Sequence, residues 1–298
     1  MTFQFDSIKY SIEETIATII ISRPANRNAW NEGLRCEIVD ALGLASRDPK
    51  VRVVIITGDP AGKAFCAGAD LAGGKMGGEN AAKNYVDVPE GRKMDGSTFR
   101  DGGGVAALSV LRCTKPVIAA INGAAVGVGM TLPLSCDIRV AAHDAKVGFV
   151  FARRGLSCET ISSLMLPKIV GMGPAMELVL TGRVFKTQDA PVGLFNYVVP
   201  ADQVMAKAKE LAREIAENTS AMSVVLSRWA LLRNANMSIE EAHLAESKLI
   251  HFMAASPDNK EGMLSFLEKR SPNFKMDPYK DLPDFFPWWS QIDTTSKL

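Results

Sequence analysis

The chain has 298 residues, of which 47% are hydrophobic and 22% are charged, with a formal net charge of +1 at pH 7. This size and composition allow one large core with an appendage. A charge so close to zero gives no electrostatic reason to expect nucleic acid as a partner. No stretch is long and apolar enough to predict a membrane span. The five cysteines are odd in number and widely spaced, which predicts reduced thiols in an intracellular compartment.

The N-terminal part of the chain is predicted to combine strands with one helix. Residues 8–23 alternate and then run apolar, which fits a hairpin of two strands, and residues 24–31 read as a loop. Glu32–Arg47 carries apolar residues at helical spacing. The apolar residues 51–57 predict a buried strand, and this strand leads into the small residues of the segment 63–71.

The next stretch, residues 73–104, breaks this pattern. It is rich in glycine, carries scattered charges and shows little periodicity, which predicts a flexible excursion. Its role is either that of a solvated loop or that of a lid over a binding site. A helix is expected over residues 105–112 and a strand over residues 115–121.

Residues 121–159 form the stretch around which the rest is organised. An apolar strand enters a glycine-rich turn at residues 122–129, and the turn opens a helix. Glycines allow a backbone to approach a ligand closely, and the first amides of a helix have no partner within it. The pattern therefore predicts a site for an anion or an oxyanion, although such turns also bind phosphate or simply pack closely.

Two blocks of this sequence, AFCAGADL at residues 64–71 and INGAAVGVGMTLPLSCDIRVAA at residues 121–142, resemble the signature blocks of the enoyl-CoA hydratase/isomerase (crotonase) superfamily. With PANRNAWN and AMELVLTGRVF the resemblance covers roughly residues 12–216. It implies an α/β crotonase (ClpP-like) spiral of repeated β-β-α units with a C-terminal helical trimerisation region. It further implies an acyl-CoA thioester substrate, and a homotrimer or a dimer of trimers.

On this basis the domain organisation is predicted as a spiral core with the acyl-CoA site at residues 1–200, a C-terminal helical region at 201–272 and a tail at 273–298. Residues 73–104 would form a lid or insertion within the core. Coenzyme A is part of the substrate, so no further cofactor is expected. No cluster of residues has metal-ligand spacing, and no metal is predicted.

The resemblance also carries over site residues. The backbone amides of Ala69 and Val128 match the two donors of the oxyanion hole, where charge builds on the thioester oxygen. Arg27 and Lys63 are candidate partners of the CoA phosphates. Alternatively, the loops at Ala69 and Val128 are ordinary tight turns, and Arg27 and Lys63 are ordinary solvated charges. The predicted substrate-binding positions are Arg27, Asn28, Ala29, Lys63, Ala64, Phe65, Ala67, Gly68, Asp70, Leu71, Gly127, Thr131 and Phe151.

The acids of the family's hydratases are missing from this chain. Their two glutamate positions fall on Thr131 and Phe151, and neither side chain ionises usefully. Glu159 matches instead the catalytic glutamate of the peroxisomal Δ3,Δ2-enoyl-CoA isomerases, which the segment around it resembles. A single carboxylate can take a proton from C2 and return one to C4, whereas hydration must also orient a water molecule. The sequence therefore predicts isomerisation with Glu159 as the acid/base.

Several alternatives remain open for these acids. Glu159 could instead be a first-turn acid behind a Ser157 N-cap, favoured there by the helix dipole alone. Asp70 is expected to hold its loop, Asp137 to be structural and His143 to lie on the surface. The runner-up function is an atypical hydratase in which Thr131 holds the water. A catalytically silent acyl-CoA-binding protein, and a hydrolase or lyase of the same fold, are further possibilities.

The last three residues match a targeting signal. Ser296-Lys297-Leu298 is the tripeptide that the peroxisomal import receptor reads, which predicts a peroxisomal location. The aromatic residues Phe285, Phe286, Trp288 and Trp289 precede it. They are too apolar to be left in water, so the tail is expected to pack on its own trimer or a neighbouring one.

Overall fold

The computed structural model describes residues 4–71 and 100–287. Its strands form a six-stranded sheet in the order β1-β2-β3-β5-β7-β10 and a four-stranded sheet in the order β4-β6-β8-β9. The larger sheet contains β1 (Ile8–Glu13), β2 (Ile16–Ile21), β3 (Val53–Gly58), β5 (Val117–Ile121), β7 (Ile138–Ala142) and β10 (Tyr197–Val199). The smaller sheet contains β4 (Ala64–Cys66), β6 (Ala124–Val126), β8 (Lys146–Gly148) and β9 (Val184–Lys186).

The chain alternates between the two sheets. β3, β5 and β7 run parallel in the larger sheet, and the strand after each of them, β4, β6 and β8, runs parallel in the smaller one. The chain thus adds one strand to the larger sheet and one to the smaller sheet, and a helix then leads it back to the larger sheet. This is a spiral of β-β-α units, as the resemblance implied. The predicted N-terminal hairpin is also confirmed, because β1 pairs antiparallel with β2.

Nine helices of the described residues cover and extend the sheets. They are α1 (Glu32–Arg47), α2 (Gly102–Arg112), α3 (Val128–Thr131), α4 (Ser162–Val170), α5 (Met172–Thr181), α6 (Val204–Asn218), α7 (Ala221–Asn234), α8 (Ile239–Ala254) and α9 (Pro257–Glu268). Among these, no helix is both long and apolar enough to cross a membrane. The helix predicted over residues 32–47 is confirmed as α1, and the predicted helical region at 201–272 contains α6 to α9.

The start of α2 differs from its prediction. The helix begins at Gly102, whereas the sequence predicted it from Val105. The Asp101 carboxylate caps the helix by accepting from the Gly104 amide, and this cap offsets the poor helix propensity of three consecutive glycines. Residues 73–99 of the predicted excursion lie outside the described residues.

Two cores lie on the two faces of the larger sheet. On one face, α1 and α2 pack on apolar residues such as Ile19, Ile56 and Phe65. On the other face, Val204, Ala208 and neighbouring residues of α6 cover the sheet. The predicted boundary at residue 201 lies before α6. It therefore assigns α6 to a different region from the sheet on which this helix packs. The helices that form a cluster of their own are α7 and α8, together with the tail.

The described part of the tail packs on this helical cluster. The rings of Trp229 and Phe286 lie 4.8 Å apart between centroids, and those of Phe252 and Phe285 lie 6.3 Å apart. The aromatic residues of the tail were expected to be buried by packing, and Phe285 and Phe286 find their partners within the same chain. Trp288, Trp289 and the terminal tripeptide lie outside the described residues.

A buried arginine links the helical cluster to the core. Arg228 of α7 donates to the carbonyl oxygens of Val110, Leu111 and Cys113 at the end of α2, over 2.9 to 3.0 Å. Its Nε donates to the Asp137 carboxylate at 2.5 Å, which also accepts from the Val117 amide. The structural role predicted for Asp137 is thereby confirmed.

We expect Arg228→Ala to destabilise the fold by about 3–5 kcal/mol, because it leaves Asp137 and three carbonyl oxygens without their buried donor. Chemical denaturation followed by circular dichroism measures the effect. Arg213→Ala is the matched control, since its side chain is 48% exposed and its partner Glu14 lies 3.9 Å away. An exposed pair of this kind contributes about 0–1 kcal/mol. Equal midpoints for the two variants would contradict the anchoring role.

Candidate active site

Two loops meet where the short strands β4 and β6 end. The strands pair in parallel, with Ala64 opposite Ala124. The loops that follow turn at Gly68 and Gly127, whose φ angles of +91° and +55° favour glycine. A methyl group on Gly127 would lie 3.9 Å from the Gly68 Cα, and one on Gly129 would overlap the carbonyl oxygen of Cys66. The small residues of both sequence blocks therefore allow two backbones to touch.

The loops leave two amides available at this junction. Trp30 braces the first loop, because its amide donates to the Gly68 oxygen and its oxygen accepts from the Asp70 amide, both at 2.8 Å. Ala69 lies between these two bonds. Val128 is the first residue of α3, where an amide has no helical partner. Within the described residues no acceptor is paired with either amide. The two donors predicted from sequence thus lie on adjoining loops.

A carboxylate lies beside this junction. Thr131, at the end of α3, donates its hydroxyl to Glu159 Oε1 at 2.7 Å, and the Thr160 hydroxyl donates to Oε2. Burial raises the pKa of the Glu159 carboxyl above its ordinary value, against the effect of the Thr160 and Thr131 hydroxyls. The negative charge of Asp101 adds to the rise. A carboxyl with a raised pKa next to available amide donors is suited to proton transfer.

The backbone that carries Glu159 is unusual. Thr160 and Ile161, which follow it, have φ angles of 57° and 59°. β-Branched residues rarely adopt this left-handed region, and such outliers cluster at functional sites. The helix α4 begins only at Ser162. The reading of Glu159 as a first-turn acid behind a Ser157 cap is therefore wrong, since Glu159 precedes the helix and its side chain faces α2 and α3.

The positions of the two missing hydratase acids lie close to this site. Thr131 is fully buried and holds Glu159 through its hydroxyl. Phe151 is buried beside the glycine turn, where a methyl on Gly127 would lie 4.0 Å from its ring. Both side chains are thus part of the site, one as a hydrogen-bond donor and the other as an apolar wall.

The remaining predicted residues divide into those that support the loops and those that lie on the surface. Asn28 is fully buried, and its amide donates to the oxygens of Asp59 and Ala64 at 3.0 and 2.7 Å. Asp70 pairs with Arg23 at 2.9 Å, which confirms that it holds the loop.

The side chains of Ala29, Ala64 and Phe65 are also buried. The buried side chains of Asn28, Ala64 and Phe65 support the loops, and the contact of these residues with CoA remains a prediction. Contact with CoA stays a prediction for the exposed Arg27, Lys63 and Leu71, and for Ala67, which is half-buried. His143 is exposed, as predicted.

Sequence reasoning missed the contribution of α2. A methyl group on Gly103 would overlap both the Glu159 carboxylate and the Thr160 hydroxyl, so the first turn of α2 lies directly against the acid. Asp101 accepts from the Thr160 amide at 3.2 Å. The available signal was an aspartate before a glycine run and an apolar helical pattern, which is typical of an N-cap.

Two amide donors beside a half-buried carboxylate define a site that can polarise a carbonyl group and move a proton next to it. Within the described residues, no group of three or more His, Cys, Asp or Glu side chains is placed to hold a metal ion. The chemistry that this geometry supports is acid/base chemistry at a carbon next to a carbonyl.

Comparisons with known proteins agree with this class. The sequence model of the enoyl-CoA hydratase/isomerase family matches residues 11–277. An enoyl-CoA hydratase of Alternaria alternata, ACTT3, is 39% identical over 262 residues, which cover 87% of this chain and 83% of that protein. The crotonyl-CoA hydratase of Syntrophomonas wolfei is 34% identical over 275 residues, 91% of this chain and 98% of that protein.

Solved structures give the same result. The enoyl-CoA hydratase of Bacillus anthracis superposes with a TM-score of 0.79 at 30% identity, covering 91% of this chain and 99% of that one. A probable enoyl-CoA hydratase/isomerase of Mycobacterium abscessus reaches a TM-score of 0.77 at 30% identity, over 90% of this chain and 98% of its own. The chain belongs to the enoyl-CoA hydratase/isomerase family and is an acyl-CoA enzyme with the crotonase fold.

We expect Gly103→Ala to lower the kcat of the enzyme by about tenfold or more, because the new methyl group displaces the Glu159 carboxylate and small misplacements in an active site are costly. Steady-state kinetics on an enoyl-CoA thioester measure the loss. In Gly43→Ala the methyl meets only the flexible end of Arg47 at 3.4 Å, so this helical control should be stabilised by up to about 1 kcal/mol and stay active. Full activity of Gly103→Ala would show that α2 does not constrain the acid.

Proposed function

We propose that the enzyme converts a 3-enoyl-CoA into the trans-2-enoyl-CoA, with Glu159 as the acid and base. The observation that carries this proposal is the position of Glu159, which accepts from Thr131 of α3, the short helix that begins at Val128. Thr131 and Phe151 occupy the two positions at which the family's hydratases carry acids. Glu159 then performs proton transfer alone.

The steps follow from this geometry. Glu159 takes a proton from C2, and the electron pair of the broken C2–H bond moves toward the thioester carbonyl. The Ala69 and Val128 amides stabilise the charge on the carbonyl oxygen. The electrons of the resulting dienolate return to form the C2–C3 double bond as C4 takes the proton back from Glu159. No water is consumed, and the atoms of substrate and product balance.

The hydrogen bonds of Glu159 suit this shuttle. Each carboxylate oxygen accepts one hydroxyl donor, from Thr131 or from Thr160, and retains lone-pair capacity toward the substrate. A carboxylate whose pKa is raised by burial is a stronger base than an ordinary glutamate. The proton taken from C2 can therefore stay on it long enough to be delivered to C4.

We expect Glu159→Gln to lower isomerisation by about 10²- to 10⁴-fold, since an amide cannot accept the C2 proton. The test supplies a 3-enoyl-CoA and a 2-enoyl-CoA separately and follows the absorbance of the conjugated thioester. Glu177→Gln is the matched control, because Glu177 is exposed and pairs with Arg183 away from the site. Rapid conjugation of the 3-enoyl substrate and slow hydration of the 2-enoyl one would support the isomerase.

A second candidate is hydration of a 2-enoyl-CoA. Relatives at 34–39% identity carry the names of hydratases, and the Thr131 hydroxyl can accept a hydrogen bond from a water while it donates to Glu159. Dominant hydration in the same assay, dependent on Glu159, would favour this candidate. Binding of CoA thioesters without turnover of either substrate would favour a silent binding protein.

We also propose that the enzyme acts in the peroxisome and assembles as a homotrimer or a dimer of trimers, with no cofactor besides the CoA of its substrate. Ser296-Lys297-Leu298 supports the location, and the family resemblance supports the assembly. Loss of peroxisomal import after removal of the tripeptide tests the first part. Mass measurement in solution tests the second.

We expect Thr131→Val to move the acid limb of the rate profile to higher pH. The enzyme needs ionised Glu159, so its activity is lost as the pH falls through the pKa of this group. The Thr131 hydroxyl lowers that pKa, and its removal lets the pKa rise further. Thr187→Val is the control, since the buried Thr187 hydroxyl bonds to the oxygens of Ala142 and His143. An unmoved limb in Thr131→Val would contradict the coupling.

A further inference from the structure

We infer that Asp101 is a positioning residue, whose carboxylate ties the first turn of α2 to the peptide that follows Glu159 and so fixes the direction of the catalytic carboxylate. The inference rests on the proposed function in one respect, namely that Glu159 is the acid and base. It adds a residue that the family resemblance of this sequence did not supply.

Asp101 joins two elements through one oxygen atom. Its Oδ1 accepts from the Gly104 amide at 2.5 Å and from the Thr160 amide at 3.2 Å. A methyl on Gly104 would lie 2.5 Å from the other oxygen, Oδ2, so the whole carboxylate is turned toward the start of its own helix. This geometry argues against a second acid acting on the substrate. Asp101 acts on Glu159 through Thr160.

The peptide held by Asp101 needs such support. Thr160 and Ile161 both lie in the left-handed region that β-branched residues rarely adopt, and such conformations persist only where the surroundings fix them. Thr160 is fully buried, and its hydroxyl donates to Glu159 Oε2. Gly103 packs against both side chains, since a methyl group there would overlap the Thr160 hydroxyl and the Glu159 carboxylate. Without Asp101 the Thr160 amide loses its acceptor, and the hydroxyl that orients Glu159 is free to turn.

The charge of Asp101 acts in addition to its hydrogen bonds. In the described structure, the titratable groups that interact electrostatically with Glu159 are Asp101 before α2 and the buried thiol of Cys66 in β4. The Thr131 and Thr160 hydroxyls are neutral donors. The asparagine variant keeps an acceptor oxygen for both amides and removes only the charge. It therefore separates the positioning effect from the electrostatic effect.

The experiment compares Asp101→Ala, Asp101→Asn and Glu159→Gln in the full-length enzyme. One readout is the pH dependence of kcat and KM for whichever enoyl-CoA reaction the wild type catalyses through Glu159. The other is the ¹³C NMR titration of glutamate-labelled protein, in which the Glu159 signal is identified by its absence from Glu159→Gln. The control Ser238→Ala removes the N-cap of α8, which is a comparable loss at a helix far along the chain.

We expect Asp101→Ala to lose about tenfold or more in kcat with a smaller change in KM, because a misdirected base slows the chemical step. Asp101→Asn should recover most of this kcat and shift both the acid limb and the NMR titration of Glu159 to lower pH. The lower pH follows because the charge of Asp101 raises the pKa of Glu159. Ser238→Ala should leave the titration of Glu159 unchanged.

Wild-type kcat in Asp101→Ala would overturn the inference, and an unmoved Glu159 titration in Asp101→Asn would overturn its electrostatic part. Should Asp101→Ala not fold, Asp101→Ser takes its place, because serine can still cap α2 but lacks the carboxylate that accepts from the Thr160 amide, and wild-type kcat in it would overturn the inference. If Glu159→Gln retains wild-type turnover, the proposed function fails, whereas the titration in Asp101→Asn still reports whether Asp101 acts on Glu159. The two failures are thus distinguishable.

Discussion

The parallel contact between β4 and β6 is the constraint on which the rest of the site depends. The two strands are only three residues each, and the loops after them supply the Ala69 and Val128 amides. A shift of either strand would move one loop relative to the other and so separate the two amides. The same contact sets where α3 begins and therefore where Thr131, three residues later, meets Glu159. The two loop amides and the hydrogen bond between Thr131 and Glu159 thus depend on the same packing contact.

The pKa of Glu159 is set by effects that act in opposite directions. Burial disfavours the charged carboxylate, and so does the nearby charge of Asp101, while two hydroxyl donors favour it. The net result is a raised pKa with hydrogen bonds still available to the ionised form. A fully solvated glutamate would be a weaker base, and a buried one without donors would stay protonated. The site holds the carboxyl between these limits, which suits the proton transfer that we propose for it.

Much of the fold was predictable because its signals are local. Strong apolar runs predicted β2, β3 and β5, and helical spacing predicted α1. The short strands β8 and β9 were not predicted, because a strand of three residues shows no periodicity and its pairing is set by tertiary contacts. The start of α2 was not predicted, because its three glycines have a low helix propensity and the Asp101 cap was not considered.

Within the site, the predictable part was the part that sequence motifs encode. Ala69, Val128 and Glu159 were identified because each occupies a recognisable block. The clamp through Asp101, Gly103 and Thr160 was not, because it joins residues more than fifty positions apart and depends on a left-handed backbone at Thr160. The motif around Asn28 did not indicate its structural role, in which its side-chain amide donates to the backbone oxygens of Asp59 and Ala64.

Thr131 and Phe151 lie at the two positions where the resemblance places the acids of the family's hydratases, and this exchange underlies the proton path that we propose. Thr131 occupies a position where the family's hydratases carry a glutamate, and its short side chain brings no charge of its own. Its hydroxyl instead holds Glu159, which approaches from the turn before α4. Phe151 fills the other acid position with an apolar ring beside the Gly127 turn. A wall of this kind offers a water molecule no hydrogen bond, so the substitution both removes an acid and disfavours water at that position. The isomerisation that we propose consumes no water and is therefore compatible with an apolar ring at this position.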